Sequence, residues 1–338
     1  MPSSTIPALT RWLNQQFSAE NIQLTPLSGD AGFRCYFRFF IHGNSYIAVD
    51  APADKSNNAA FVFMQKRLSK QNILVPEIVA VDLSLGFFCL TDLGETLLAD
   101  LLTPQNMAKT YQKAIEILPF IQLALPHKTT KLPHYNQAFV ELELNIFPEW
   151  LLTEHLSITL TDNEQKQLKH CFSILAENML SQPQVLVHRD YHSRNIMVLE
   201  NGELGIIDFQ DAVIGPITYD IVSLLRDCYL KWPDEEVTLL FNSYINTIAK
   251  QYSLTHIPRE QWQRWFDLTG MQRHIKASGI FARLHHRDNK SGYLNDIPLT
   301  LSYIVEISQQ YPELAFIHQL LLEKVLPAMT MLKQENSA

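Results

Sequence analysis

The chain has 338 residues, 46% of them hydrophobic and 18% charged, which marks a globular protein long enough to bury a substantial core. Its formal net charge of −8 gives no electrostatic support to a nucleic-acid surface, and no apolar run approaches the length of a membrane span. Four scattered cysteines without a Cys-x-x-Cys pair, and a start (Met1–Phe17) without the basic-then-apolar pattern of a signal peptide, lead to the expectation of a reducing cytoplasm.

In chain order, Leu9, Trp12, Leu13 and Phe17 recur at helical spacing and predict a short packing helix over 8–17. Leu24–Leu27, the small-residue loop Ser28-Gly29-Asp30-Ala31-Gly32, the run Phe33–Phe40, the turn His42-Gly43-Asn44 and the run Ser45–Asp50 read as strand, loop, strand, turn, strand. Alternation places Arg34, Tyr36 and Arg38 on one face of the second strand. Phe33, Cys35, Phe37 and Phe39 take the other, which reads as core. A helix follows over 59–68, and Ile78–Val81 and Phe87–Leu90 complete a small sheet. Thr91-Asp92-Leu93-Gly94 then leaves the sheet; Asp92 there is suited to a linker or to capping a helix that begins near Glu95.

Beyond this point the pattern is helical. Met107, Tyr111, Ala114, Ile115, Leu118 and Ile121 form one face of a helix over 104–125, with Pro104 in its first turn. Further helices are predicted over 136–156, over 161–180 with Thr161 and Glu164 as a capping box, and over 219–230. Four more are predicted over 233–251, 258–284, 298–311 and 312–332.

Between these helices lies a different stretch. Val185-Leu186-Val187 delivers the polar loop His188-Arg189-Asp190-Tyr191-His192-Ser193-Arg194-Asn195, and Ile196–Leu199 leaves it. After the turn Glu200-Asn201-Gly202-Glu203, Leu204–Ile207 ends in Asp208-Phe209. His-Arg-Asp, an Asn five residues after the Asp, and Asp-Phe at the end of a nearby hairpin form the catalytic layout of kinases. In that layout Asp190 takes the proton of an acceptor hydroxyl, while Asn195 and Asp208 are the magnesium ligands. Oxygen donors suit this hard cation. With Asp190 in the base position, His188 and His192 are expected to be structural donors, and Arg194 lies close enough to meet phosphate oxygens.

The continuation is Asp208-Phe209-Gln210-Asp211-Ala212, then Gly215-Pro216 and Tyr219-Asp220, with no Ala-Pro-Glu motif. This resembles the aminoglycoside phosphotransferase and choline kinase branch, so a small-molecule acceptor is implied. The resemblance implies an α+β, protein-kinase-like two-lobed fold. Residues 1–91 form a small antiparallel-sheet lobe, and residues 92–338 a mostly helical lobe with the catalytic loop. ATP and Mg2+ are the implied cofactors. Gly29, Asp30 and Gly32 would lie in the loop over the phosphates, and Asp92 and Leu93 in the hinge that contacts adenine through backbone groups. Asp220 would support the catalytic loop; a helix-start carboxylate is the equally open alternative. The usual third-strand lysine is missing, since Val49 is followed by Asp50. Arg34, Arg38 and Lys55 are the candidates to replace it, with Arg34 first.

The segment Gln272-Arg273-His274…Lys276…Gly279-Ile280-Phe281-Ala282-Arg283…Arg287-Asp288 adds a basic, hydrogen-bonding helix. Together with the loop at 28–38 and the run 208–229, it resembles the anomeric sugar kinases of bacterial cell-wall recycling, which phosphorylate the 1-hydroxyl of N-acetylmuramate and N-acetylglucosamine. That resemblance implies acceptor contacts from Arg194, Gln210, Arg273, His274, Lys276 and Arg283. It also implies a cytoplasmic enzyme acting as a monomer on a sugar, with no nucleic-acid or membrane partner. Other hydroxyl kinases of the same fold, or a regulator that binds nucleotide without turnover, are the alternatives.

Overall fold

A computed structural model of the protein describes residues 5–27, 33–124 and 132–335. Helix α1 (Ile6–Phe17) leads into strands β1 (Thr25–Pro26), β2 (Cys35–Ile41) and β3 (Asn44–Asp50), helix α2 (Asn58–Ser69), and strands β4 (Ile78–Asp82) and β5 (Phe87–Thr91). Helices α3 (Leu98–Leu101), α4 (Met107–Leu123), α5 (Gln137–Ile146) and α6 (Asp162–Ser181) follow, and a π-helix, Phe147–His155, continues α5 directly. Next come β6 (Gln184–Val187), β7 (Ile196–Val198), β8 (Leu204–Ile206), β9 (Val213–Pro216) and α7 (Tyr219–Leu225). The chain closes with α8 (Asp234–Gln251), α9 (Arg259–Asp288), α10 (Ile297–Ser308), α11 (Ala315–Leu320) and α12 (Leu326–Glu335). Among the described residues no helix is long and apolar enough to cross a membrane.

Local chemistry explains most boundaries. The α2 N-cap is Asn57, whose side chain accepts from the Ala60 N–H, and Thr161 and Glu164 form the expected capping box at α6. Pro104 lies before α4, which starts at Met107 behind Asn106. The helix expected over 219–230 stops at Leu225, and the Gly215-Pro216 segment proves to be part of a strand.

The chain packs as two compact units. One comprises Met1–Leu132 with His188–Ala212, the other Pro133–Val187 with Val213–Ala338. This grouping joins the catalytic loop to the N-terminal sheet; it is not a single cut between residues 91 and 92.

In the first unit, five antiparallel strands run in the order β1-β2-β3-β5-β4. Helix α1 covers one face, where Leu9, Trp12 and Leu13 bury against Phe37, Phe39, Ala48, Phe87 and Cys89. Period-two alternation sends Tyr36, Arg38 and Ile47 to the opposite face. Helix α2 meets that face through Phe61, which sits edge-on to Phe88 with ring centroids 5.4 Å apart. The β7–β8 hairpin belongs to this unit and is anchored by backbone bonds from Val198 N to Thr96 O and from Ile206 N to Leu74 O.

The second unit is built on α9, 30 residues long and buried along most of its length. The antiparallel pair β6–β9 joins the unit's helices. Gly279 permits a close approach on α9, since a Cβ there would stand 2.6 Å from the Ile146 carbonyl oxygen. The π-helix begins immediately after that contact. Its second residue is Pro148, which has no N–H to give to an α-helical ladder.

Candidate active site

The β7–β8 hairpin assembles the polar groups. Its register pairs Ile196 with Ile206, so Asn195 and the residues following Ile206 are brought together at the same end. Ile207 N donates to Asn195 O at 3.1 Å, and Asn195 Nδ2 lies 3.0 Å from Asp190 O and 3.4 Å from Asp208 Oδ2. His188 shares a 3.0 Å hydrogen bond with Ile207 O and packs edge-on against Tyr191, whose hydroxyl donates to Ala114 O. Burial pushes the His188 imidazole pKa down to about 4, so it is neutral and holds the loop's shape. Arg189 and Asp208 both adopt left-handed backbone, at φ 77° and 64°, a conformation that aspartate tolerates better than arginine.

Charge is concentrated around Asp208. Its carboxyl is pushed to a raised pKa by burial first, then by Asp190, with Asp211 adding to it; the Gln210 amide, donating at 2.6 Å, works the other way. An oxygen-only donor pair, Asn195 and Asp208, in excess negative charge fits a hard divalent cation. Among the described residues there is no cluster of three or more His, Cys, Asp or Glu side chains set to hold a metal by themselves, so such an ion would need further ligands.

Beside these groups lies a cavity of about 450 Å³. Tyr36, Arg38, Ile47, Phe61, Leu90 and Leu97 line it, with the 91–95 segment on one side and Arg194, Asn195, Asp208 and Gln210 on another. Asp92 and Leu93 are therefore in the wall, as a hinge requires. Asp92 does not cap a helix, however. Its carboxylate accepts from Arg38 Nε at 2.6 Å, from Ser45 Oγ at 2.5 Å and from Gly94 N at 2.9 Å, whereas α3 starts at Leu98.

Arg38 is corrected as a phosphate candidate. Its guanidinium is held by Asp92, Glu95 and Gly94 O, which ties β2 to the 91–95 segment. The missing lysine also moves by one residue. Ile47 and Val49 are the β3 residues that line the cavities on this face, so Val49, not Asp50, stands at that position. Arg34 lies beside Val49 in a narrow recess with Tyr36 and Phe61. One of its terminal nitrogens is 3.4 Å from Asn57 O, and the other is buried with no hydrogen-bond partner among the described residues. Lys55 is exposed over the Phe33 ring. Gly29, Asp30 and Gly32 lie outside the described residues.

The residues expected at the acceptor divide. Arg194 and Gln210 line the cavity. On α9, His274 is corrected: it is 1% exposed, stacks on Tyr303 at 4.4 Å and shares a hydrogen bond with Arg226 O, and burial lowers its pKa to about 3. Lys276 is buried too, 3.1 Å from Glu143 and 3.0 Å from the Tyr219 hydroxyl. Arg273 lies over the Tyr219 ring at 5.2 Å, and Arg283 is half-buried. The expected basic surface is thus largely an internal network in which Glu143 also accepts from Tyr135 and Gln272. Asp220 is buried in the first turn of α7. Sequence reading placed Tyr36 and Arg38 on this face by strand alternation but missed Phe61, on α2, as a cavity wall.

The profile of the phosphotransferase enzyme family matches residues 23–255. The N-acetylmuramate/N-acetylglucosamine kinase of Neisseria meningitidis is 38% identical over 323 residues, covering 94% of this chain and 95% of that one. The protein of the same name from Pseudomonas putida is 37% identical, covering 93% and 95%. Among solved structures, choline kinase LicA from Streptococcus pneumoniae aligns with a TM-score of 0.62 at 14% identity, covering 90% of this chain and all of that one. A thermostable aminoglycoside phosphotransferase APH(4)-Ia aligns at 0.58 and 16% identity, covering 90% and 99%. At those identities the structures speak for the kinase-like fold alone.

Proposed function

The chain belongs to the phosphotransferase enzyme family, and we propose that it is an amino-sugar kinase that transfers the γ-phosphoryl group of ATP to the anomeric hydroxyl of N-acetylmuramate, N-acetylglucosamine or both. The observation that carries this reading is the convergence of Asp190, Asn195 and Asp208 on one hairpin beside a nucleotide-sized cavity, in a chain nearly full-length similar to kinases of that name.

Each group has a chemical task. The base of ATP would lie against the 91–95 segment, where Gly94 already spends its N–H on Asp92 and its carbonyl on Arg38, leaving the backbone of Asp92 and Leu93 to face it. Asn195 and Asp208 would hold magnesium, which when bound neutralises and orients the phosphates. Arg34 would supply the positive charge that a lysine supplies elsewhere, and a planar guanidinium can grip two phosphate oxygens at once. Asp190 would orient the sugar hydroxyl and accept its proton as the phosphoryl group moves. An anomeric hydroxyl is more acidic than other sugar alcohols, so a carboxylate suffices as base.

Acceptor contacts are proposed for Arg194 and Gln210 at the cavity, and for Arg283 toward a sugar carboxylate. The reading also has the protein working in the cytoplasm as a monomer. The four free cysteines agree with a reducing compartment. A coupled assay of ADP release with a panel of amino sugars, choline and aminoglycosides tests the assignment. Turnover with the N-acetylated sugars supports it; turnover with choline or aminoglycosides alone rules it out.

A further inference from the structure

Three imidazoles gather within the second unit, and no step of the proposed reaction uses them. His155 is the last residue of the π-helix, and His285 and His286 lie in the last turn of α9. His155 Nδ1 stands 3.1 Å from His286 Nε2, with the ring centroids 5.3 Å apart. His285 meets both rings edge-on, its centroid 4.6 Å from that of His286 and 6.1 Å from that of His155. Its own Nδ1 is held by the Ser291 hydroxyl at 3.0 Å. Among the described residues, no carboxylate or carbonyl bonds to any of the three rings. Glu154 supplies local negative charge beside His286, and Arg287 is already paired with Asp288.

We propose that His155 and His286 form a two-imidazole site for a divalent transition ion of the zinc, nickel or copper kind. Ligands of one such ion must lie close together. With metal–nitrogen bonds of about 2.0–2.1 Å, two imidazole nitrogens stand about 2.9 Å apart at neighbouring square-planar corners and about 3.3 Å apart at tetrahedral ones. The observed 3.1 Å lies between, so small turns of the two rings suffice and neither helix need shift. In the hydrogen bond one ring donates and the other accepts. On the metal both present lone pairs, with their protons on His155 Nε2 and His286 Nδ1. Imidazole suits these borderline ions, whereas Mg2+ takes oxygen donors, so this site and the Asn195–Asp208 pair select different metals. Two protein ligands leave the remaining positions to water, in keeping with the absence, among the described residues, of any three or more side chains set to hold a metal. His286 is exposed, which gives the ion its way in. Bound there, the ion cross-links the end of the π-helix to the last turn of α9 and stabilises the fold by mass action.

The test is calorimetric titration of ZnCl2 into the full-length protein, stripped with EDTA and dialysed into buffer with saturating Mg2+ and no nucleotide. Wild type, His155→Ala, His286→Ala and His285→Ala are compared, each with a melting curve. Wild type should take up a single Zn2+ at this site and melt at a higher temperature with it. His155→Ala and His286→Ala should each weaken that binding by at least about tenfold, the low end of what even an outer-shell partner of a metal ligand is worth. His285→Ala should bind as wild type does, because Ser291 holds that ring elsewhere. With Cu2+ in place of Zn2+, electron paramagnetic resonance should show coupling to two nitrogen nuclei, and to one in His286→Ala. That exposed substitution decides the matter even where His155→Ala fails to fold. No uptake by wild type, or uptake that survives His286→Ala as an adventitious ion only, overturns the proposal, as do equal losses from all three variants. Neither nucleotide nor acceptor is used, so the result is independent of the activity proposed above.

Discussion

Asn195 Nδ2 stands 3.4 Å from Asp208 Oδ2, although the two residues are 13 apart in sequence. The β7–β8 register makes this contact, because a hairpin that pairs Ile196 with Ile206 must bring together what precedes one and follows the other. The same geometry crowds Asp190 and Asp211 electrostatically against Asp208. A pair of oxygen donors with surplus negative charge is a poor arrangement for an empty protein and a good one for a divalent cation.

An ionised Asp208 therefore works against stability. Its folded-state pKa is raised, chiefly by burial and then by Asp190, so a folding cost builds as pH rises from the unfolded carboxylate range toward that pKa and is complete above it. Below the unfolded carboxylate range the cost is gone. Asp208→Asn should raise the melting temperature of the nucleotide-free protein at neutral pH, with the gain fading in acid, while weakening magnesium-ATP binding. Calorimetric melts across pH, paired with nucleotide titrations, check both halves; unchanged magnesium-ATP affinity rules out the ligand role.

Asp190→Asn is expected to remove about a hundred- to ten-thousandfold of turnover, the usual range for a general base, while leaving ATP binding near wild type. Comparison of kcat with the ATP dissociation constant decides it. Near-wild-type turnover means another group accepts the proton.

Arg34→Ala should raise KM for ATP and lower kcat, because the guanidinium lies in the recess beside Val49 with a buried nitrogen that has no partner among the described residues. Lys55→Ala should do much less, since that ammonium is exposed over Phe33. Steady-state kinetics of the two variants side by side are sufficient. A larger loss from Lys55→Ala reverses the assignment.

Much of this site was legible before the structure. The spacing of Asp190, Asn195 and Asp208 pointed to phosphoryl transfer, the activity class of the family the chain matches, and alternation along Phe33–Phe40 placed Arg34 and Arg38 on the face away from the core. What alternation could not say is which of the two arginines is already occupied. The answer lies in Asp92 and Glu95, 54 and 57 residues away from Arg38 in sequence. It also could not fix the strand's phase at Val49 and Asp50, because both are buried. On α9, basic residues at helical spacing read as a surface for the acceptor. Glu143 on α5 and Tyr219 on α7 draw Lys276 inside, and Tyr303 covers His274, contacts that no local pattern announces. The β6–β9 pairing was hidden for the same reason, since its partners flank the whole catalytic segment.

Gly279→Ala should destabilise the second unit by about 1–3 kcal/mol, the scale of overpacking a tight contact. The added methyl would meet backbone, 2.6 Å from Ile146 O and 2.8 Å from Phe147 N, and backbone there cannot swing aside as a side-chain tip can. Urea denaturation measures it. Because Gly279 is on α9, outside the nucleotide cavity, KM for ATP should be unchanged below the melting transition.

The central claim is that the phosphoryl group goes to the anomeric oxygen of an N-acetylated amino sugar, and phosphorus NMR of the product tests it most directly. N-acetylglucosamine or N-acetylmuramate incubated with enzyme, ATP and Mg2+ should give one phosphomonoester whose phosphorus couples to the anomeric proton, and the corresponding methyl glycosides, whose anomeric oxygen is blocked, should give none. A phosphoester at the 6-position, or phosphorylation of the methyl glycosides, would contradict the account.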